Sequence, residues 1–377
     1  MNEWKFEIKK IVKSRTGPLF LFAVTVCMLL YLIINLVQLP IERQALENRL
    51  LNEEETLAVS IAFYQEETES GNEEYAELYA QASESIKYLR ESRNGLNENN
   101  DEAYLSSYIS YVKSNNLFNA LSLGLDNAEE LEFSDYDRNI LEEYQALLDN
   151  EDPYEVRNVS LRYPYFPVYT LEFLFSPLVF VILLFICQFI LVNEYDFGSY
   201  RFALVESNNR VYALLYKQLS TLILFGSGLL FVTFLSSLIS KFIDRPFIGQ
   251  HPSTWGDTIF TLGADMGRMT LLNYSFFLIL SGLALFFLFS LFFTLLISYV
   301  HSPIVSGLIF LLSLLSGSFL TYAHSLNVFF NPFSLFYLEE LVLANGLVHY
   351  SLVILSTFLF SGSLVYLISK KSKNNPL

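Results

Sequence analysis

Residues 193 to 219 read NEYDFGSYRFALVESNNRVYALLYKQL, a polar stretch held between two long apolar runs. Six of its side chains are charged: Glu194, Asp196 and Glu206 against Arg201, Arg210 and Lys217. The flanking runs, 173 to 193 and 218 to 240, carry no charge at all. Each is about as long as the 20 apolar residues a helix needs to cross a bilayer. A polar turn between two such runs predicts a polytopic helical membrane protein, with this turn on the cytoplasmic side, where basic residues collect.

Working outward, further charge-free windows occupy 16 to 41 and 269 to 338, and another apolar run fills 350 to 369. The window from 269 is 70 residues long, and His301-Ser302-Pro303 and the stretch 322 to 327 divide it. That arithmetic gives six spans. The chain is 377 residues, 53% hydrophobic with 35 Phe, yet it holds 39 acids, and its mean hydropathy is +0.37. Such a composition requires the apolar and acidic residues to be segregated.

The N-terminus carries Lys5, Lys9, Lys10, Lys13 and Arg15 against two acids, and Trp4, Ile8, Ile11 and Val12 share a helical face. Residues 1 to 17 therefore read as a helix lying on the inner membrane surface. It serves either as an elbow that touches a cytoplasmic partner or as a plain positive anchor. The first span follows over 18 to 38. Its apolar run exceeds a signal-peptide core and no A-x-A site follows it, so it is expected to stay attached.

Between 39 and 170 the composition reverses, with 28 Asp plus Glu against 9 Lys plus Arg. Helical spacing organises its apolar residues: Leu46, Leu50, Leu57, Ile61 and Tyr64; Tyr75, Leu78, Tyr79, Ala82, Ile86 and Leu89; Tyr104, Tyr108, Ile109 and Val112; Ile140, Leu141, Tyr144 and Leu148. Turns are expected at 69 to 72, 94 to 100 and 150 to 153. The expectation is an acidic extracytoplasmic helical domain inserted between spans one and two, its aromatic stripes forming a core. Tyr163-Pro164-Tyr165-Phe166-Pro167 then leads back to the membrane, and its two prolines argue against a regular helix there. Spans two to six occupy 171 to 377. The apolar stretch 327 to 348 reads as a half-buried hairpin at the outer leaflet, and Lys370, Lys371 and Lys373 place the C-terminus inside.

Glu194 and Gly198 stand four apart, Arg201 follows, then the turn Ser207 to Arg210 and a run ending at Lys217. In this loop, and in the order of its spans, the sequence resembles the ABC-2 type permeases, membrane subunits of ATP-driven transporters. Where that family often has Pro before the Arg, this chain has Asn208 and Asn209. The resemblance covers about 1 to 40 and 171 to 377; the acidic domain is extra.

It implies export of a peptide or hydrophobic compound, powered by a separate ABC ATPase subunit docked on loop 193 to 217. It also implies a second permease subunit, identical or related, to complete the path through the lipid. Glu194 and Gly198 would form the opening turn, Arg201 would contact the ATPase, and Arg210 and Lys217 would mark the membrane-proximal end. Tyr195, Phe197 and Phe202 would be the apolar contacts. Lys217 has a simpler reading as a snorkelling cation, and Glu194 as a helix cap.

Other chemistries find little support. Cys27 and Cys187 both fall in spans, so the outer domain has no disulfide, which suits a bacterial cell-membrane protein. The four histidines (251, 301, 324 and 349) lack H-E-x-x-H spacing, and no metal site, cofactor or catalytic constellation is expected. Glu339-Glu340 with His349 resembles the paired glutamates of CAAX-type intramembrane proteases, but Ala344 stands where that family needs Arg. No P-loop and no nucleic-acid partner are expected.

The predicted span centres hold no Asp, Glu, Lys or Arg, the groups on which ion-coupled transporters depend. Energy for uphill transport would then have to come from a partner. The acidic domain would draw cationic solutes, a cationic peptide among them. The alternative is a membrane-anchored peptide sensor or bacteriocin immunity protein without transport.

Overall fold

The computed structural model describes residues 16–125, 133–149, 151, 154, 159–196, 210–243, 259–262, 267–300, 302–323 and 330–374. In chain order the helices are α1 Thr16–Glu69, α2 Glu74–Asn97, α3 Asp101–Ser122, α4 Asp135–Asp149, α5 Tyr165–Phe175, α6 Pro177–Asp196, α7 Arg210–Ile243, α8 Leu271–Val300, α9 Pro303–Ala323 and α10 Leu338–Asn374. A 3-10 helix, Pro332–Tyr337, precedes the last of them. The one departure from an all-helical chain among the described residues is a hairpin of two strands, β1 Ile259–Leu262 and β2 Gly267–Thr270, paired antiparallel with Ile259 opposite Thr270. Two compact units divide the chain: Met1–Ile33, Arg162–Asp244 and Leu272–Leu377 form the first, Ile34–Leu161 with Arg245–Leu271 the second.

This is a membrane protein: Thr16–Glu69, Leu215–Ile243, Leu271–Val300, Ile304–Tyr322 and Gly346–Lys371 are all long and apolar enough to cross a bilayer. A sixth crossing is formed only if α5 and α6, bent by 74° at their junction, count as one span. The apolar side chains of these helices point both ways. Phe22, Leu230, Leu312 and Leu359 are exposed, as lipid-facing residues would be, while Phe180, Phe225, Phe286 and Phe310 are fully buried.

Phe180 of α6 is the hub of this interior, meeting Phe225 of α7 at 5.7 Å and Phe336 of the 3-10 helix at 5.4 Å, both edge to face. Phe225 in turn stacks on Phe286 of α8 at 4.3 Å. Such ring pairs contribute about 0.5–1.5 kcal/mol each beyond the area they bury. At Gly282 a methyl group would overlap the Phe175 ring, so glycine there lets α5 lie directly on α8.

Three boundaries differ from the sequence expectation. The helix of the first span does not end at 38: α1 runs unbroken through Pro40 to Glu69. Pro removes one backbone donor and crowds the preceding turn, but here that is not enough to end the helix. The second concerns the proline-rich segment, which is helical from Tyr165, with Pro167 as its third residue. The first turn of a helix has no intrahelical acceptor for its N–H groups, so Pro167 forfeits nothing there. Third, 327 to 348 is no hairpin in its described part, 330 to 348. It forms the 3-10 helix and then α10, which breaks its helical geometry at Gly346 (φ 73°). The expected surface helix over 1 to 17 lies outside the described residues except for its last two.

In the second unit, Leu50 and Leu57 of α1, Ile86 and Leu89 of α2, Tyr104, Tyr108 and Val112 of α3 and Tyr144 of α4 close one apolar core. The helical stripes of the sequence thus meet on one inside face, with Tyr75 and Tyr79 left out of that core. Asn100 caps α3, its side-chain oxygen accepting from the Ala103 N–H at 3.1 Å. Ser134 caps α4 by accepting from the Asp137 N–H at 3.1 Å. Glu54 of α1 is gripped by Arg90 and Arg93 of α2, both at 2.6 Å.

Candidate functional site

The stretch that carries the permease resemblance is entered and left by helices. Glu194 and Tyr195 belong to the last turn of α6, and Arg210 opens α7, but the side chains of these three are outside the described residues. Phe197, Gly198, Arg201 and Phe202 lie outside them altogether. Of the eight expected contact residues, Lys217 alone has a described side chain, and it is 6% exposed. It lies seven residues after Arg210 opens α7, near the start of the apolar segment Leu215–Ile243.

Behind this junction the first unit contains a cluster of polar groups. Gln188 of α6 donates to Ser290 Oγ of α8 at 2.7 Å and to Gln218 Oε1 of α7 at 3.3 Å. Gln218 donates to Thr294 Oγ1 of α8 at 2.5 Å, and the Thr221 hydroxyl donates to the Gln218 backbone carbonyl at 2.9 Å. All five side chains are buried. Among the described residues Gln188 Oε1 has no hydrogen-bond partner. Amides stay buried among apolar helices only when they bond across them, each such bond contributing about 0.6 kcal/mol in membrane bundles. The arrangement ties α6 and α7, the two helices that bound the junction, to α8. It is a neutral mechanical tie, with no proton to give.

The sequence reading passed over this cluster. The signal is present in the sequence: Gln188 and Gln218 are large polar side chains within or at the edge of otherwise apolar runs, and polar residues in such runs mark helix contacts or function.

A second polar feature was hidden by the choice of window. Glu172 of α5 accepts a hydrogen bond from the Tyr274 hydroxyl of α8. The two line a cavity of about 170 Å³ with Phe175, Leu278, Phe336, Tyr337 and Leu338. The charge-free window began one residue later, at 173. Lys217 falls near the start of the segment Leu215–Ile243, whereas Glu172 lies within the bent pair Tyr165–Gln188, four residues before its break. If that pair is one span, a carboxyl group stands near its middle, unlike the charge-free span centres the sequence predicts.

The second unit holds its own polar chemistry. Tyr104 and Tyr144 share a hydrogen bond between hydroxyls at 3.1 Å, and burial pushes both phenols well above the usual tyrosine range. Tyr111 is pushed up as well, first by burial and then by the Glu53 carboxylate beside it. Cys27 and Cys187 are free thiols on α1 and α6. Among the described residues no group of three His, Cys, Asp or Glu is placed to hold a metal ion. Comparison with family models, with characterised proteins and with solved structures finds no match.

Proposed function

We propose that this chain is the membrane-spanning subunit of an ATP-binding-cassette exporter, moving a peptide or hydrophobic compound with energy from a separate ATPase subunit. The observation that carries the reading is the amide cluster Gln188–Gln218–Ser290–Thr294, which fastens the two helices bounding the polar junction to a third apolar helix. A push on that junction would be felt by three helices at once. Residues 193 to 217 form the docking surface, with Phe197 and Arg201 as its anchors. The bent α5/α6 pair acts as the second of six spans, both termini are cytoplasmic, and the acidic domain, 39 to 170, stands on the outer side. A second permease subunit, identical or related, completes the path, and lipid surrounds the pair.

The separately packed second unit favours one other reading, a membrane-anchored peptide sensor or immunity protein without transport. One experiment separates them. The double variant Phe197→Ala/Arg201→Ala, reconstituted in lipid, should lose at least tenfold in ATPase pull-down and in substrate-stimulated hydrolysis while remaining folded, about 1.4 kcal/mol of lost association. Wild-type values for both would remove the permease reading.

A further inference from the structure

Along the surface of the second unit runs a groove of about 680 Å³ between the 45–60 stretch of α1 and the 111–119 stretch of α3. Two pairs of asparagines line it, Asn48 and Asn52 on one wall, Asn115 and Asn119 on the other. Each pair is spaced i, i+4, so both members lie on one face of their helix. No hydrogen-bond partner for any of these four amides occurs among the described residues. The α1 wall also carries the ion pair of Arg49 with Glu53, at 3.1 Å.

The spacing selects the ligand. Four helical residues rise about 6 Å, while an extended chain presents main-chain N–H and C=O groups to one side every two residues, about 6.7 Å. A side-chain amide offers one acceptor and two donors, the complement of a peptide unit. The α1 wall is about 22 Å long from residue 45 to 60, room for six or seven extended residues. A helical ligand would need a broad apolar floor, but Leu57 and Phe118 are only 6% and 8% exposed. A sugar would need an open ring face, and Tyr111 is 7% exposed. The excess of 28 acids over 9 bases between 39 and 170 favours a positively charged occupant.

We propose that this groove binds an extended cationic peptide segment through its main chain, the asparagine pairs bonding its amides and the surrounding acids drawing its basic side chains. Recognition of this kind tolerates sequence. The proposal draws on the permease reading only for the side of the membrane from which the segment arrives.

The test uses the full chain in lipid nanodiscs and a fluorescein-labelled peptide of alternating threonine and lysine, long enough to fill the groove. Its partner probe has the same side chains with the N–H groups of one edge methylated. The unmodified probe should bind saturably. The N-methylated probe, and the variant Asn52→Ala/Asn115→Ala, should each weaken binding at least tenfold, while Asn72→Ala in the α1–α2 turn should not. Equal binding of the two probes would reduce the effect to charge attraction and overturn the proposal. So would wild-type binding by the double variant, or no saturable binding at all. ATPase pull-down on the same samples is expected to stay unchanged, so loss of the peptide site and loss of the permease reading are told apart.

Discussion

The two units hide polarity in opposite directions. In the first, exposed Leu and Phe cover the helices and the amides of Gln188 and Gln218 are buried. In the second, the core is tyrosine and leucine, and asparagines, acids and arginines such as Asn52, Glu55 and Arg90 lie toward the surface. The same α-helix serves both because its own backbone bonds are internal, leaving the side chains free to suit either solvent. The contrast teaches what each unit can tolerate: the second should not withstand loss of its large rings, while the first, packed on Phe rings as well, should withstand loss of one of its few paired dipoles.

That contrast can be broken most forcefully at Tyr104. Its ring meets Tyr108, Tyr144 and Tyr154, at 4.7 Å for Tyr154, and it is 1% exposed. Tyr104→Ala should destabilise the second unit by about 3–5 kcal/mol, the cost of an unfilled aromatic site. Tyr104→Phe, losing only the hydroxyl and its bonds to Tyr144 and Tyr154, should cost about 1 kcal/mol. Chemical denaturation followed by near-ultraviolet circular dichroism measures both, and equal effects of the two would show that the ring does not hold this core.

High pH sharpens the same point with a smaller effect. Tyr104, Tyr111 and Tyr144 all have phenols raised by burial, so the folded unit keeps protons that the unfolded chain releases above about pH 10. Their contribution is full below that pH and declines as pH rises through the folded values. Tyrosinate absorbance should therefore appear together with loss of helix rather than before it. Phenols that ionise while the helices stay intact would contradict the buried core.

The mildest effect is expected in the first unit. Gln188→Leu removes the bonds its amide donates to Ser290 and, more weakly, to Gln218 and Thr221, but also removes the carbonyl oxygen that has no partner among the described residues, and the two changes oppose each other. Stability in lipid should stay within about 1 kcal/mol of wild type. A loss as large as that of Tyr104→Ala would mean that the amide cluster, and not ring packing, holds these helices together.

Much of this was legible because periodicity survives without context. Leu50, Leu57, Ile86, Leu89, Tyr104 and Tyr144 fall on their helical stripes in the sequence and in one core in the structure. What could not be read was set by contacts between distant residues. A proline rule applied to Pro167 fails when the residue occupies a first turn, and Glu172, charged and so outside the charge-free window, has a partner, Tyr274, that nothing in the neighbouring sequence announces. The candidate coupling loop stands out by its charges, whereas the amides of Gln188 and Gln218 are uncharged and do not.

The joint between α5 and α6 has an electrostatic meaning of its own. A helix end carries roughly half an elementary charge, negative at the C-terminus and positive at the N-terminus. At Ser176 the C-terminus of α5 meets the N-terminus of α6, with the Ser176 N–H and hydroxyl both donating to the Phe173 carbonyl, at 3.1 and 2.7 Å. Pro177, the first residue of α6, brings no N–H that needs an acceptor. The two partial charges therefore neutralise each other across the bend. A helix pair bent by 74° among apolar neighbours needs no ion, and no outside side chain, to balance its ends.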